Sequence, residues 1–143
     1  MQKFYEIHDS LLESLDQEGE RVSIRLRAVL TETENANAPA PNHFRQEIRL
    51  VLDGAQLTID SPNLPSWLLE GAFRCETSDA EKTDGGAEET IPASLRSAKS
   101  VELVLAGLHE GSGDFVTISV KANSLALEQL GEPQSLQHTR ASI

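Results

Sequence analysis

His8 and Asp9 are the adjacent pair with the most chemistry within reach. A histidine-aspartate dipeptide ligates metal in some hydrolases, and an aspartate beside an imidazole orients it as a general base. Either use needs further ligands or partners. The other histidines, His43, His109 and His138, fall in expected loops or in the tail, with no ligand-like spacing. In an extended segment His8 and Asp9 also point to opposite faces, because side chains alternate along a strand. The plainer expectation is that Asp9 and Ser10 bond to nearby backbone where a strand begins. No metal ligand, cofactor or catalytic residue is assigned, and a metal-dependent or hydrolase-like enzyme using His8 and Asp9 stands as the alternative function.

A second group is cationic. Residues 21–49 hold Arg21, Arg25, Arg27, Arg45 and Arg49 against Glu32, Glu34 and Glu47, while the rest of the chain is strongly acidic. Arg21, Arg25 and Arg27 share one face of an alternating segment, with Arg45 and Arg49 on a segment expected to lie alongside. Such a face can hold a carboxylate or phosphate, or dock an acidic protein, because the guanidinium fork matches both geometries. The plainer reading is that these arginines pair with acids on neighbouring strands, each pair adding little stability.

Other chemistries lack their context. No G-x-S-x-G elbow occurs, and Gly111-Ser112-Gly113 sits in an expected hairpin loop rather than between a strand and a helix. Cys75 stands alone, which excludes an intrachain disulfide and fits a small half-buried side chain in a reducing compartment. Acids are abundant but cluster in residues 76–89, where solvation is their expected role.

The elements that would position these groups are strands. Val22, Ile24, Leu26, Ala28 and Leu30 alternate with polar residues, the mark of a half-buried strand. Residues 44–52 repeat the pattern, and Asp53-Gly54 followed by Ala55, Leu57 and Ile59 reads as a hairpin. Val101, Leu103 and Leu105 pair with Val116, Ile118 and Val120 across the loop at 109–114. Residues 10–18 fit a capping-box helix or a strand, and the short turn at 18–20 favours the strand. Asn123-Ser124 looks like a turn leading into one more antiparallel strand. A single helical turn is expected at 65–69 and a short strand at 71–76. The expected core comprises Val22, Ile24, Leu26, Ile48, Leu50, Leu103, Leu105, Ile118 and Val120.

Length and charge set the outer limits. A chain of 143 residues suits one domain, here residues 1–132, with an acidic mobile loop at 76–90 and a frayed tail at 133–143. The formal net charge of −11 disfavours nucleic acid as a partner. The opening residues lack a signal-peptide pattern and no apolar run approaches the ~20 residues of a membrane span, so the expected location is the cytoplasm.

His8-Asp9-Ser10-x-Leu12, the later Gly19 and the closing Ser124-Leu125-Ala126-Leu127-Glu128 with Gly131-Glu132 resemble a loose group of small uncharacterised bacterial proteins. That resemblance implies a compact all-β fold and a bacterial source, with no activity to transfer to any residue. The combined expectation is an all-β antiparallel sandwich or open barrel with at most one or two helical turns. It acts as a non-enzymatic binding or interaction module, taking another protein or a small anionic ligand on the face of Arg21, Arg25, Arg27 and Arg49.

Overall fold

The computed structural model describes residues 2–33, 42–60, 64–76 and 89–135, and every regular element in them is a β-strand. The strands are β1 (Gln2–Glu18), β2 (Arg21–Thr33), β3 (Asn42–Asp53), β4 (Gln56–Asp60) and β5 (Ser66–Glu76). β6 (Thr90–Pro92), β7 (Ser97–His109), β8 (Phe115–Gln129) and β9 (Gln134–Ser135) complete the set. β8, β7, β5, β1, β2 and β3 form an antiparallel ring that closes where β3 pairs with the second half of β8. The all-β class is therefore as expected, and of the two architectures the chain adopts the barrel, in closed form. No helix among the described residues is long and apolar enough to cross a membrane.

Alternation builds this barrel. The ladder sets Ile24 opposite Leu50, and Leu50 opposite Leu127, so three strands bring their inward residues to one level. Leu103 opposite Val120 and Leu105 opposite Ile118 do the same across β7 and β8. All nine expected core residues are buried. Residues 10–18 are strand, as favoured.

Three local expectations are corrected. β3 and β4 do not form a hairpin: both lie along β8 in one continuous register, with Asp53 opposite Ser124 and Gln56 opposite Lys121. The reason is that β2 and β8 already occupy both edges of β3. Asp53-Gly54 instead bends the chain past the end of β2, with Gly54 at a φ of 63° and the Ala55 amide donating to the Glu20 carbonyl at 2.9 Å. Asn123-Ser124 is not a turn, because β7 offers partners on both sides of it and β8 runs through. The expected helical turn at 65–69 is the start of β5, with Ser66 opposite His109 and Trp67 opposite Leu108. That pairing is close: a Cβ on Gly107 would stand 2.1 Å from the Trp67 carbonyl oxygen, so only glycine fits there.

Gln134 and Ser135, expected in a frayed tail, pair with Arg45 and Phe44. Glu76 ends β5 and Thr90 opens β6, so the ends of the expected acidic loop are strand residues. Most of that loop, 77–88, and residues 136–143 lie outside the described residues.

Leu50 is fully buried at the level where three strands meet. Leu50→Ala is expected to lower the unfolding free energy by about 2–5 kcal/mol, measured by urea denaturation. A loss typical of a surface site would contradict this packing.

Candidate functional site

The site begins with a bulge. On β1, Glu6 lies opposite Val29 and Leu11 opposite Arg27, so five residue steps of β1 match two of β2. Ser10, fully buried, holds this excess: its hydroxyl donates to the Glu6 carbonyl at 2.6 Å and accepts from the Val29 amide at 3.1 Å. The expected side-chain-to-backbone bonding of Ser10 is thus present, at a mid-strand bulge rather than a strand entry. Asp9 adopts a φ of 68°, which turns its carbonyl outward.

Arg45 of β3 donates to that Asp9 carbonyl at 2.9 Å, and its guanidinium carbon lies 5.7 Å from the centroid of the Trp67 ring. Trp67 is fixed in turn by its indole N–H, which donates to a Glu110 carboxylate oxygen at 2.8 Å. Leu11 and Val29, opposite Trp67 and Arg45 in the ladder, are buried although they stand outside the barrel core. Arg27, Arg45, Glu47, Trp67 and Gln134 line a cleft of about 510 Å³ at this place. Partial burial, then the neighbouring Arg27, push the Arg45 pKa below its ordinary value, and Asp9 opposes them. Beside the cleft, Trp67, Leu108 and Phe115 stand opposite one another on three adjacent strands, 39%, 40% and 54% exposed. The three form a contiguous outward apolar row.

The four arginines named from the sequence share the outer face, and each has a carboxylate. Arg21 meets Asp53 at 2.7 Å, Arg25 meets Glu47 at 2.9 Å and Arg49 meets Glu128 at 3.5 Å. Arg27 bridges Glu13 at 3.2 Å and Glu47 at 3.6 Å. Arg25 and Arg49 are direct cross-strand neighbours, and these acids relieve their repulsion. Among the described residues Arg45 and Arg96 have no carboxylate ion pair. The sequence placed Arg45 beside the arginine face, but its distinction depends on the bulge and on Trp67, which no spacing announces.

His8 and Asp9 do not stay on opposite faces. The bulge brings His8 Nε2 within 3.8 Å of Asp9 Oδ2, and Glu6 Oε1 lies closer, at 3.3 Å. His43, expected in a loop, belongs to β3 opposite Thr31, with its Nδ1 3.1 Å from the Thr31 hydroxyl and 3.8 Å from Glu6. Thr31 also bonds to Glu6 directly. Glu6 therefore gathers two histidines and a threonine, an arrangement that only strand register reveals. Among the described residues no group of three or more His, Cys, Asp and Glu side chains is disposed to hold a metal ion. The loop expected at 109–114 is a turn over residues 110–114, and His109, expected within it, is the last residue of β7; Ser112 and His109 bond to each other at 2.9 Å, and the Asp114 amide donates to the Ser112 hydroxyl. Cys75 is half-buried and packs against the core.

Set against protein-family models, curated proteins and solved structures, the chain matches none. What the chain does is read from this geometry.

Two measurements check it. Ser10→Ala leaves the buried Val29 amide without its acceptor and is expected to cost about 1–3 kcal/mol in urea denaturation. A neutral result would remove the hydroxyl from the bulge's support. The hydrogen bond from Arg25, aided by the charges of Arg25 and Arg27, holds the Glu47 carboxyl below the usual carboxylate range. A depressed folded-state pKa stabilises above the unfolded value and is lost as pH falls through the folded one. Melting temperature is therefore expected to fall on acidification through and below the ordinary carboxylate range, and to fall less steeply in Glu47→Gln.

Proposed function

We propose that this barrel is a non-enzymatic interaction module that engages an acidic protein segment through the Arg45/Trp67 cleft and the apolar row beside it. The observation that carries the reading is Arg45 itself: a partly buried guanidinium, oriented by the Asp9 carbonyl and the indole, with no carboxylate ion pair among the described residues. A partly desolvated arginine gains most from an incoming carboxylate, which supplies a charge-assisted and often bidentate bond. Arg27 adds to the local positive field, while Glu47 is already engaged by Arg25 and Arg27. The exposed side chains of Leu108 and Phe115 supply the apolar contact that charge alone lacks.

Nucleic acid is disfavoured by the net charge of −11. A reducing compartment such as a bacterial cytoplasm belongs to the same reading, supported by the single cysteine and by the resemblance of residues 8–12. An enzyme using His8 and Asp9 remains the competing proposal, supported by their approach to 3.8 Å. It requires stoichiometric metal in purified protein, or loss of a measurable turnover on His8→Ala.

Trp67 is the only tryptophan, so its fluorescence reports on this cleft alone. Titration with a synthetic peptide alternating Leu and Glu is expected to give a saturable change, weakened about tenfold or more in Arg45→Gln, the scale of one charge-assisted bond. Arg21→Gln, at a pair remote from the cleft, is expected to bind as the wild type does. Equal binding of a Leu and Lys peptide, or full binding by Arg45→Gln, would refute the proposal.

A further inference from the structure

Between β8 and β9 the chain turns a corner at residues 131–133, where Gly131 and Glu132 line the Arg45/Trp67 cleft and, with Pro133, also line a second cleft, of about 680 Å³, at the barrel end where β1 and β3 begin and β8 finishes. Barrel mouths of this volume are a common place for small ligands. Its polar floor is linked by hydrogen bonds. The Tyr5 hydroxyl donates to Gln46 Oε1 at 2.8 Å and accepts from Gln129 Nε2 at 3.0 Å, and Gln46 Nε2 donates to the Gly131 carbonyl at 2.7 Å. Tyr5 and Gln46 are buried, so this network is a fixed, neutral base. Leu30, Ala93 and Pro133 give the lining an apolar part.

The lining carries two cations, Lys3 and Arg96, and two carboxylates, Glu32 and Glu132, and the charges are not all paired. Lys3 is committed to Glu32 at 3.4 Å. Arg96 is not committed to any carboxylate among the described residues. One of its terminal nitrogens donates to the carbonyls of Ala93 at 2.9 Å and Leu95 at 3.1 Å, which fixes the guanidinium plane. Its field reaches the floor: burial raises the Tyr5 pKa, and the Gln129 hydrogen bond and the Arg96 charge pull it back. Arg96 therefore faces the cleft as a cation with no carboxylate ion pair among the described residues, while Glu32 and Glu132 on the same lining oppose a ligand of higher negative charge.

We infer that the barrel mouth binds a small monocarboxylic acid, its carboxylate on Arg96 and its apolar body toward Leu30, Ala93 and Pro133. The carboxylate takes the guanidinium edge that the two carbonyls leave open, and that one guanidinium matches one negative charge. Phosphate and tricarboxylates bring charge that meets Glu32 and Glu132. This site is separate from the Arg45/Trp67 cleft and does not depend on that reading.

Benzoate is a suitable probe, with benzamide as its neutral counterpart of equal shape, both titrated calorimetrically into the full chain. Benzoate is expected to bind in the micromolar to low millimolar range and benzamide at least about tenfold more weakly. Arg96→Gln is expected to abolish the difference, Arg96→Lys to restore part of it, and Arg74→Gln, at an ion pair outside both clefts, to leave it unchanged. A second readout needs no variant. Benzoate neutralises the Arg96 field, so the ultraviolet titration of Tyr5, the only tyrosine, should shift to still higher pH. Equal binding of benzoate and benzamide, tighter binding of citrate than of benzoate, or no benzoate binding up to about 10 mM would each overturn the inference.

Discussion

β1 gives one edge to β2 from end to end, yet its other edge must serve β6 at residues 4–6 and then β5 at residues 11 and 12. Those partners cannot both be met by a regular strand in constant register. The five-for-two bulge resolves the conflict, and a buried hydroxyl on Ser10 replaces the ladder bonds that the bulge removes. Ring closure follows from this, since β5 reaches β1 only beyond the bulge. The outer surface follows too. The Asp9 carbonyl that the bulge expels becomes the seat of Arg45, and Leu11, just past the bulge, aligns Trp67 with Arg27.

The electrostatics obey a similar economy. A chain this acidic would repel itself if its few cations were scattered, but five arginines each sit against a carboxylate on a neighbouring strand. Exposed pairs of this kind are worth roughly 0–1 kcal/mol each, so their value lies in tolerating like charges such as Arg25 and Arg49 side by side. Among the described residues two arginines are left over. Arg45 and Arg96 each line a cleft, and each is held by backbone carbonyls, which orient a guanidinium without neutralising it.

The sequence carried the strands and the core because both depend on a period of two, which survives in any sheet. Val22, Ile24 and Leu26 had to face inward whatever their neighbours were. It carried partners less well. Asp53-Gly54 has the composition of a hairpin turn, and only the prior occupation of both β3 edges makes it a bend. Pro65-Ser66-Trp67 suggested a helical turn because proline favours a first helical position, whereas pairing with β7 overrode that local preference. The arginine face was legible as a cluster, and its cross-strand pairing was the plainer reading. What one strand could not disclose was which guanidinium lacked an acid, or that His43 joins His8 at Glu6, because both facts belong to register between distant segments.

That dependence on register has a consequence for the two clefts. Gln46 and Glu47 are neighbours on β3 and face opposite sides, one into the barrel mouth and the other onto the arginine face. Gln46 holds the corner through the Gly131 carbonyl, and the Glu47 carbonyl accepts from the Leu130 amide at 2.8 Å. The corner is thus pinned from the inside by a side chain and along its edge by backbone, and Gly131 and Glu132 line both clefts. A wall one chain thick, tied on both sides to the same two residues, keeps the clefts distinct in chemistry, with a hydrogen-bonded amide floor on one side and a cation on an indole on the other. The barrel therefore presents two different surfaces from a single pair of adjacent positions, which is what the alternation of a strand makes possible.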